Sequence, residues 1–351
     1  MPEKDAAKRS AQRAIDAKLY DRAVGNPIIK VFERVISQRL GDVLVLATNG
    51  KAGALVMALE TLGIGPGDEV IIPAFCSPIT TSSLLSVGAT PVFVDIRLCD
   101  YAIDPAKIEK KITVRTKAII VVHLFGQPAL GTGEVLEIAK RNLLPVIENA
   151  AQAFGARIRI DGKQRLVGTL GDIGCFTFFS TTPFTNSNSV SVMVLQSKEK
   201  LYAIAKKLRS ARASSLPRET EAPAILARLN FFDEQLEQRR RLAKYYTQQL
   251  SGISGITLPE SYPETENVWY RYAIRAEKRE ALLEHFSQKL SASHRPHPTT
   301  RLFALEKRHI LDDFPISKQA ASEIIFLPVF MRTSLEDAAM VAQSIRTFFQ
   351  R

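Results

Sequence analysis

The chain has 351 residues, 46% of them hydrophobic and 24% charged, which is typical of a globular protein with a large and a smaller domain. Its formal net charge is +11, spread along the chain without a zinc-finger or aromatic RNA-binding motif, so we expect no nucleic acid partner. The charge is explained by a solvated basic surface. It also suits a phosphorylated metabolite, a nucleotide or an acidic polysaccharide precursor.

The cysteines and the N-terminal residues predict where the protein works. Cys76, Cys99 and Cys175 are odd in number and far apart, which favours a reduced chain without a metal site. The N-terminus, MPEKDAAKRSAQR, is charged and has no apolar signal core. The most apolar run, residues 118–126, is too short to cross a bilayer. We therefore expect a cytoplasmic protein without membrane insertion.

In chain order, an amphipathic helix is predicted over residues 5–24 and ends at Gly25-Asn26-Pro27. Later helices are predicted over residues 28–40, 51–63, 77–88, 105–112 and 133–142. Strands are predicted over residues 43–48, 69–75, 90–96, 118–124, 144–150 and 173–179. These strands are apolar on both faces and alternate with helices, so the sequence predicts an α/β protein whose mostly parallel sheet is covered by helices.

A second section follows one long predicted helix over residues 225–250. Gly252 and Gly255 begin it, and a strand is predicted over 269–276. Further helices are predicted near residues 278–290 and 335–349. The predicted units are an N-terminal helical segment (1–24), a large domain (25–250) and a small α+β C-terminal domain (251–351).

The stretch CFTFFSTTPFTNSN, residues 175–188, begins as a buried strand and continues into a polar loop. Strand ends that run into such loops are where α/β enzymes place their chemistry. After Cys175 this loop offers only hydroxyls and amides, with no Lys, His, Asp or Glu. It has the position of an active-site loop without a reactive group.

Several strings resemble the nucleotide-sugar aminotransferases of the DegT or StrS type, among them ALETLGIGPGDEVIIPAF, PVIENAAQAFGA and LGDIGCFTFF. Members of that family use pyridoxal phosphate (PLP). The resemblance covers residues 25–350. It implies the PLP-transferase type I fold, with a seven-stranded sheet in the large domain, and a homodimer with its sites at the interface.

The resemblance also implies which residues contact the cofactor. At two of these positions, the residue type differs from that of the family. The lysine that holds PLP as a Schiff base in the family corresponds to Thr182, whose hydroxyl is a weak acid-base group. The aspartate that faces the pyridinium nitrogen corresponds to Asn149, which carries no charge. Gln152, which lies near the ring hydroxyl in the family, is retained.

The phosphate cup and the stacking position are changed as well. A Ser-Gly-Thr string in relatives corresponds to Gly50-Lys51-Ala52, and the stacking aromatic ring corresponds to Ser77. Thr177 keeps a hydroxyl expected to touch phosphate. Lys51 is either a new anion contact at a helix start or a surface lysine.

Two acid-base residues near these positions are interpreted separately. His123 ends a buried strand and is expected to be part of the architecture. Glu148 ends another central strand and is expected to pair with Lys51 or an arginine, or to remain alone.

Together the altered positions predict a vestigial cofactor pocket formed by Lys51, Ala52, Ser77, Asn149, Gln152, Thr177 and Thr182, with no catalytic residue, no metal and no cofactor. The predicted function is a non-enzymatic partner, regulator or nucleotide-sugar binder in surface-polysaccharide or amino-sugar biosynthesis. The alternative is an active enzyme on nucleotide-linked keto sugars, an aminotransferase or a dehydratase-like enzyme, that uses PLP or pyridoxamine phosphate (PMP) non-covalently. Expected partners are a second copy of the chain, an active paralogue in a heterodimer, and a nucleotide sugar.

Overall fold

The computed structural model describes residues 27–179, 189–196, 198–211, 217, 221–291, 295–298, 312–330 and 332–350. The predicted N-terminal helix over residues 5–24 lies outside these ranges, and so does Thr182. Residues 212–216 and 218–220 are also outside them. No helix among the described residues is long and apolar enough to cross a membrane.

The first nine strands are β1 (Leu44–Asn49), β2 (Glu69–Pro73), β3 (Thr90–Val94), β4 (Thr116–Val122), β5 (Val146–Asn149), β6 (Arg157–Ile160), β7 (Lys163–Leu166), β8 (Ile173–Phe179) and β9 (Ser189–Leu195). Seven of them form the central sheet in the order β1-β9-β8-β5-β4-β2-β3. The run from β3 to β8 is parallel, and β9 is antiparallel to both of its neighbours. The predicted mostly parallel, seven-stranded sheet is confirmed.

The helices of this part are α1 (Pro27–Arg39), α2 (Gly53–Thr61), α3 (Pro78–Ser86), α4 (Thr132–Arg141), α5 (Glu199–Ala211), α6 (Glu221–Leu229) and α7 (Phe232–Leu250). They cover both faces of the sheet because neighbouring strand residues point to opposite sides. Leu46 packs into the cluster that includes α2 and α5, whereas Val45 packs into the cluster that includes α1 and α6. Both faces are therefore buried, as the doubly apolar strands predict.

Two predicted elements differ from the structure, and three strands before residue 200 were not predicted. The single helix predicted over 225–250 is two helices, because the chain leaves the α-helical path at Asn230 and Phe231. The break accompanies a contact between the rings of Phe232 and Phe154, whose centroids are 5.2 Å apart. The helix predicted over 105–112 is a pair of short 3₁₀ turns. Strands β6, β7 and β9 were absent from the sequence prediction; β6 and β7 have only four residues each.

The C-terminal section adds strands β10 (Ile256–Thr257), β11 (Thr265–Glu266), β12 (Tyr272–Ala276), β13 (His297–Pro298) and β14 (Ile324–Leu327), and helices α8 (Arg279–Lys289), α9 (Pro315–Glu323) and α10 (Leu335–Phe349). Four strands form an antiparallel sheet in the order β10-β12-β14-β13. Its core also contains Leu242 and Tyr246 from α7. The domain boundaries at residues 24 and 250 stay a prediction.

Candidate functional site

A cavity of about 600 Å³, counting the space open to solvent, lies where parallel strands of the central sheet end. Because β2, β4 and β5 run in one direction, the residues at their carboxyl ends meet at the same edge. Five of the seven predicted pocket residues line this cavity: Lys51, Ser77, Asn149, Gln152 and Thr177. Ala52 precedes α2 and does not line the cavity, and Thr182 lies outside the described residues.

The turn between β1 and α2 brings Lys51 to the cavity. The Thr177 hydroxyl donates to the Lys51 carbonyl at 3.3 Å. Ser191 Oγ donates to the Gly50 carbonyl at 2.8 Å and accepts from the Ala54 N–H at 2.9 Å. The Ala54 N–H at the start of α2 is thus satisfied within the protein, and the exposed Lys51 side chain brings positive charge to this end of the cavity.

Asn149 ends β5 and is only 9% exposed. Its Nδ2 donates to Thr80 Oγ1 at 3.0 Å, and its Oδ1 accepts from the Ala151 N–H at 3.2 Å. These bonds fix the orientation of the amide. An amide nitrogen carries two N–H bonds, so Asn149 can hydrogen-bond an uncharged ring nitrogen, but it supplies no charge to hold a proton there.

Ser77 and Gln152 have local structural roles besides lining the cavity. Ser77 is the N-cap of α3, where its Oγ accepts from the Ile79 N–H at 3.4 Å. Gln152 Oε1 accepts from the Phe125 N–H at 2.8 Å, and Phe125 has a left-handed backbone with φ of 60°. Both side chains are half-buried and can still present polar atoms to a ligand.

Glu148 and His123 form a buried pair next to the cavity. His123 Nδ1 accepts from the Ala129 N–H at 3.1 Å, so Nε2 carries the ring proton and donates to Glu148 Oε2 at 3.0 Å. Glu148 also accepts three backbone N–H bonds at 2.6–2.7 Å, from Gly168, Leu170 and Gly171. The predicted pairing of Glu148 with Lys51 or an arginine is wrong. His123 is buried and hydrogen-bonded, but it also lines the first cavity, so its architectural role stays a prediction.

Two buried thiols lie near this site. Burial raises the pKa of Cys76 to about 12, although the hydroxyls of Thr81 and Thr80 lower it slightly. Burial and the nearby charge of Glu148 raise the pKa of Cys175 well above its ordinary value. Both thiols stay protonated near neutral pH, so neither supplies the thiolate that nucleophilic catalysis needs.

A second cavity of about 730 Å³, again counting the space open to solvent, adjoins the first, since Ala151, Gln152 and Thr177 line both. Arg228 on α6 and Arg239 on α7 bring two positive charges to it. Its other lining residues include Phe232, Gln235 and Tyr270. Sequence reasoning missed this cavity. The only signal was the basic cluster EQRRRLAK, residues 237–244, which contains Arg239.

Comparison with known proteins identifies the class to which this fold and site belong. The DegT/DnrJ/EryC1/StrS aminotransferase family matches residues 4–346, so the chain belongs to this family. The predicted resemblance to sugar aminotransferases is confirmed.

Three relatives match most of the chain. The UDP-N-acetyl-3-dehydro-alpha-D-glucosamine 3-aminotransferase of Acidithiobacillus ferrooxidans is 35% identical, over 84% of this chain and 81% of its own length. The dTDP-3-amino-3,6-dideoxy-alpha-D-galactopyranose transaminase of Aneurinibacillus thermoaerophilus is 31% identical, over 90% of this chain and 89% of its own length. A pleiotropic regulatory protein of Geobacillus stearothermophilus is 33% identical, over 85% of this chain and 82% of its own length.

Solved structures match over almost the whole length. DesV of S. venezuelae, determined in complex with a ketimine intermediate, has a TM-score of 0.85 and 28% identity and covers 98% of this chain and 94% of its own. NtdA from Bacillus subtilis, determined with bound PMP, has a TM-score of 0.84 and 24% identity. The match covers 99% of this chain and 82% of NtdA. The second likeness shows the fold alone. The predicted PLP-transferase fold is confirmed.

The expectation that the protein has no cofactor is wrong. The chain belongs to an aminotransferase family, and solved proteins of the same fold include forms with PLP and with PMP. The residues predicted at the altered positions do not exclude a cofactor, because non-covalent binding needs neither a Schiff base nor every charged contact. The residues of the first cavity still fit a small phosphorylated ring, because they combine the Lys51 ammonium with hydroxyls and amides.

Proposed function

We propose that the protein binds PLP or PMP without a covalent bond and acts on a nucleotide-linked keto sugar. The observation that carries the proposal is the convergence of Lys51, Ser77, Asn149, Gln152 and Thr177 on one cavity at the ends of parallel strands. This is the alternative activity that the sequence predicts. Family membership supports it over a protein without cofactor.

Each polar residue of the cavity has a role in the proposal. Lys51 in the β1–α2 turn and Thr177 on β8 are joined by a hydrogen bond and would contact the phosphate. Asn149 would donate to the ring nitrogen and leave it uncharged, and Gln152 would contact the ring hydroxyl. When bound, PMP or PLP would supply an amino nitrogen to the sugar carbon or withdraw electrons from that carbon through its ring.

The sequence supports non-covalent binding. No lysine occurs between Lys163 and Lys198, a range that contains the whole loop in which the family carries its cofactor lysine. Thr182, at the corresponding position, has a hydroxyl that forms no Schiff base. The cofactor would be held only by hydrogen bonds and charge, so it would exchange with the solution.

The relatives' names support a class of substrate. Two of the three relatives act on, or make, sugars linked to UDP or dTDP with the keto or amino group at carbon 3. A nucleotide-linked 3-keto sugar is therefore the substrate to test first, and the product would be an amino sugar for a surface polysaccharide or another glycoconjugate.

A second candidate is a regulator that binds the same ligands without turnover. It is favoured by the missing lysine in residues 164–197 and by the Geobacillus stearothermophilus relative, which is named a regulatory protein. The two candidates share the cavity and differ only in whether the bound sugar is transformed.

Equilibrium dialysis against PMP and PLP, followed by mass spectrometry of an added UDP-linked 3-keto sugar, separates these outcomes. We expect PMP to be retained and the keto sugar to gain an amino group. Asn149→Asp should tighten PLP binding about tenfold by pairing with a charged ring nitrogen, while Asn142→Asp at the end of α4 should leave it unchanged. Retention without sugar conversion favours the regulator. No retention of either cofactor contradicts the proposal.

A further inference from the structure

We propose that a third cavity, between α7 and the chain segment that leads to β12, binds a neutral sugar residue. The cavity is lined by Arg240, Ser261, Thr265, Glu266, Asn267 and Trp269. Its volume is about 660 Å³, counting the space open to solvent. It shares no lining residue with the first or the second cavity, so a ligand bound there is independent of the proposed function.

The third cavity is separated from the second by the chain segment 267–270. Asn267 and Trp269 line the third cavity, whereas Val268 and Tyr270 line the second. Consecutive side chains of this segment therefore point to different cavities, and the segment forms a wall between them. A ligand in the third cavity would occupy a place apart from the cofactor and the keto sugar of the proposed function.

Trp269 gives the third cavity an aromatic wall. Its half-buried ring lies 5.5 Å from the ring of the fully buried Tyr272, at an angle of 33°, so the core holds the indole on that side. The backbone of Trp269 has φ of 49°, a left-handed conformation that is strained for a bulky side chain. Such strain is concentrated at sites that hold a ligand. A fixed indole face can pack against the C–H groups of a sugar ring.

Asn267 is a buried polar side chain with an incomplete set of partners. It is 9% exposed, and its Oδ1 has no hydrogen-bond donor among the described residues. A buried acceptor without a donor costs free energy, and a ligand hydroxyl that reaches the amide would supply the donor. An aromatic wall alone would suit any apolar ring. The amide beside it favours a hydroxylated one.

The charges of the third cavity are balanced. Its lining has one cation and one anion, Arg240 and Glu266, whose Nη2 and Oε2 atoms lie 3.9 Å apart. A phosphate or a metal ion would therefore find no excess of opposite charge. The hydroxyls of Ser261 and Thr265 can both donate and accept hydrogen bonds. Sugar hydroxyls do the same, so this lining suits a neutral sugar better than a charged ligand.

Trp269 is the only tryptophan of the chain, so its fluorescence reports on this cavity. The test is a fluorescence titration of the full chain with methyl α-D-glucoside, methyl α-D-galactoside and methyl α-D-mannoside. We expect at least one glycoside to change the emission saturably, because the sugar would displace water from the indole. Asn267→Ala should weaken this binding about tenfold. The matched control, Asn142→Ala at the end of α4, changes a residue outside all three cavities and should leave binding unchanged.

Glu266→Ala is a second variant, because this exposed side chain can be removed without opening the core. It should also weaken glycoside binding, and it decides the test if circular dichroism shows that Asn267→Ala is unfolded. Saturable binding to wild type that folded variants weaken supports the site. No response of wild type to any of the glycosides overturns it, and so does a response that the folded variants leave unchanged. A response to phosphate or glutamate but to no glycoside also overturns it, since the ligand would then be charged.

Discussion

The Nε2 atom of His123 lies 3.0 Å from Oε2 of Glu148, and neither side chain has exposed surface. Three backbone N–H groups complete the shell of the Glu148 carboxylate. A buried carboxylate is stable only when its oxygens are satisfied in this way. The pair therefore joins the ends of β4 and β5 to the loop before β8 and supports one side of the first cavity.

Replacing Glu148 by glutamine should destabilise the protein by about 3 kcal/mol, because an NH₂ group would then face a backbone N–H. Urea unfolding monitored by circular dichroism measures the change. Glu109→Gln is the control: this carboxylate is 56% exposed, and its ion pair with Arg141 should contribute less than about 1 kcal/mol. A loss of unfolding free energy below about 0.5 kcal/mol for Glu148→Gln would show that the buried hydrogen bonds around residue 148 do not need the negative charge of the carboxylate.

The close packing of Gly174 against Gly168 gives a second prediction. A Cβ at Gly174 would lie 1.9 Å from the Gly168 carbonyl oxygen, so Gly174→Ala must displace the loop that donates to Glu148. We expect a loss of about 3 kcal/mol, or insoluble protein. Gly65→Ala, whose Cβ would have 3.7 Å to its nearest neighbour, should change the unfolding free energy by less than about 1 kcal/mol. Equal effects of the two substitutions would contradict the packing described here.

Asp95 links the central sheet to α9 and gives a pH dependence. Burial alone would raise its pKa, but hydrogen bonds from the Ser317 hydroxyl and from the N–H groups of Ile96, Ser317 and Ile316 hold the pKa below its ordinary value. A lowered pKa in the folded state stabilises the protein above the unfolded pKa of about 3.9, and this stabilisation is lost as the pH falls through the folded pKa.

Asp95→Asn should therefore lower the unfolding free energy at pH 7 by about 2 kcal/mol and by less at pH 3. Thermal melts of both proteins across this range measure the difference. Asp161→Asn changes an exposed aspartate between β6 and β7 and should follow the wild-type curve. A deficit for Asp95→Asn that is the same at both pH values would exclude the titration of Asp95 as its cause.

The dimer expected from the family resemblance is also a prediction. Sedimentation velocity at micromolar concentration should give twice the chain mass of 38.9 kDa. A species of single-chain mass at that concentration would contradict it. Co-purification of an active paralogue from the native host would show the mixed dimer instead.

The architecture could be predicted because its signals are local. Runs such as residues 118–124 are apolar on both faces and alternate with helices, and such runs give a buried parallel sheet. Strands β6 and β7 could not be predicted in this way, because RIRI and KQRL have only four residues each and are not apolar on both faces. The break at Asn230 was missed because the helical pattern continues across it, and it accompanies a contact between Phe232 and Phe154, which are far apart in sequence.

The site was predictable only in part. Asn149 and Ser77 could be assigned by their place in the family's strings, and the structure puts both on one cavity. The partners of Glu148 could not be deduced, because they are backbone N–H groups whose direction depends on the turn at Gly168. The second cavity is lined by residues of α6 and α7, which meet at the helix break, and no local sequence pattern predicts that break.

The cofactor is proposed to be held without a covalent bond. Wild-type protein loaded with PLP, reduced with borohydride and analysed by intact-mass and peptide mass spectrometry, tests this directly, with Thr182→Lys as the positive control. We predict that wild type retains PLP before reduction and carries no pyridoxyl group after it, whereas the variant carries one on the new lysine. A pyridoxyl group on any native lysine of the wild-type chain, Lys51 being the first to inspect because it lines the cavity, would contradict the account.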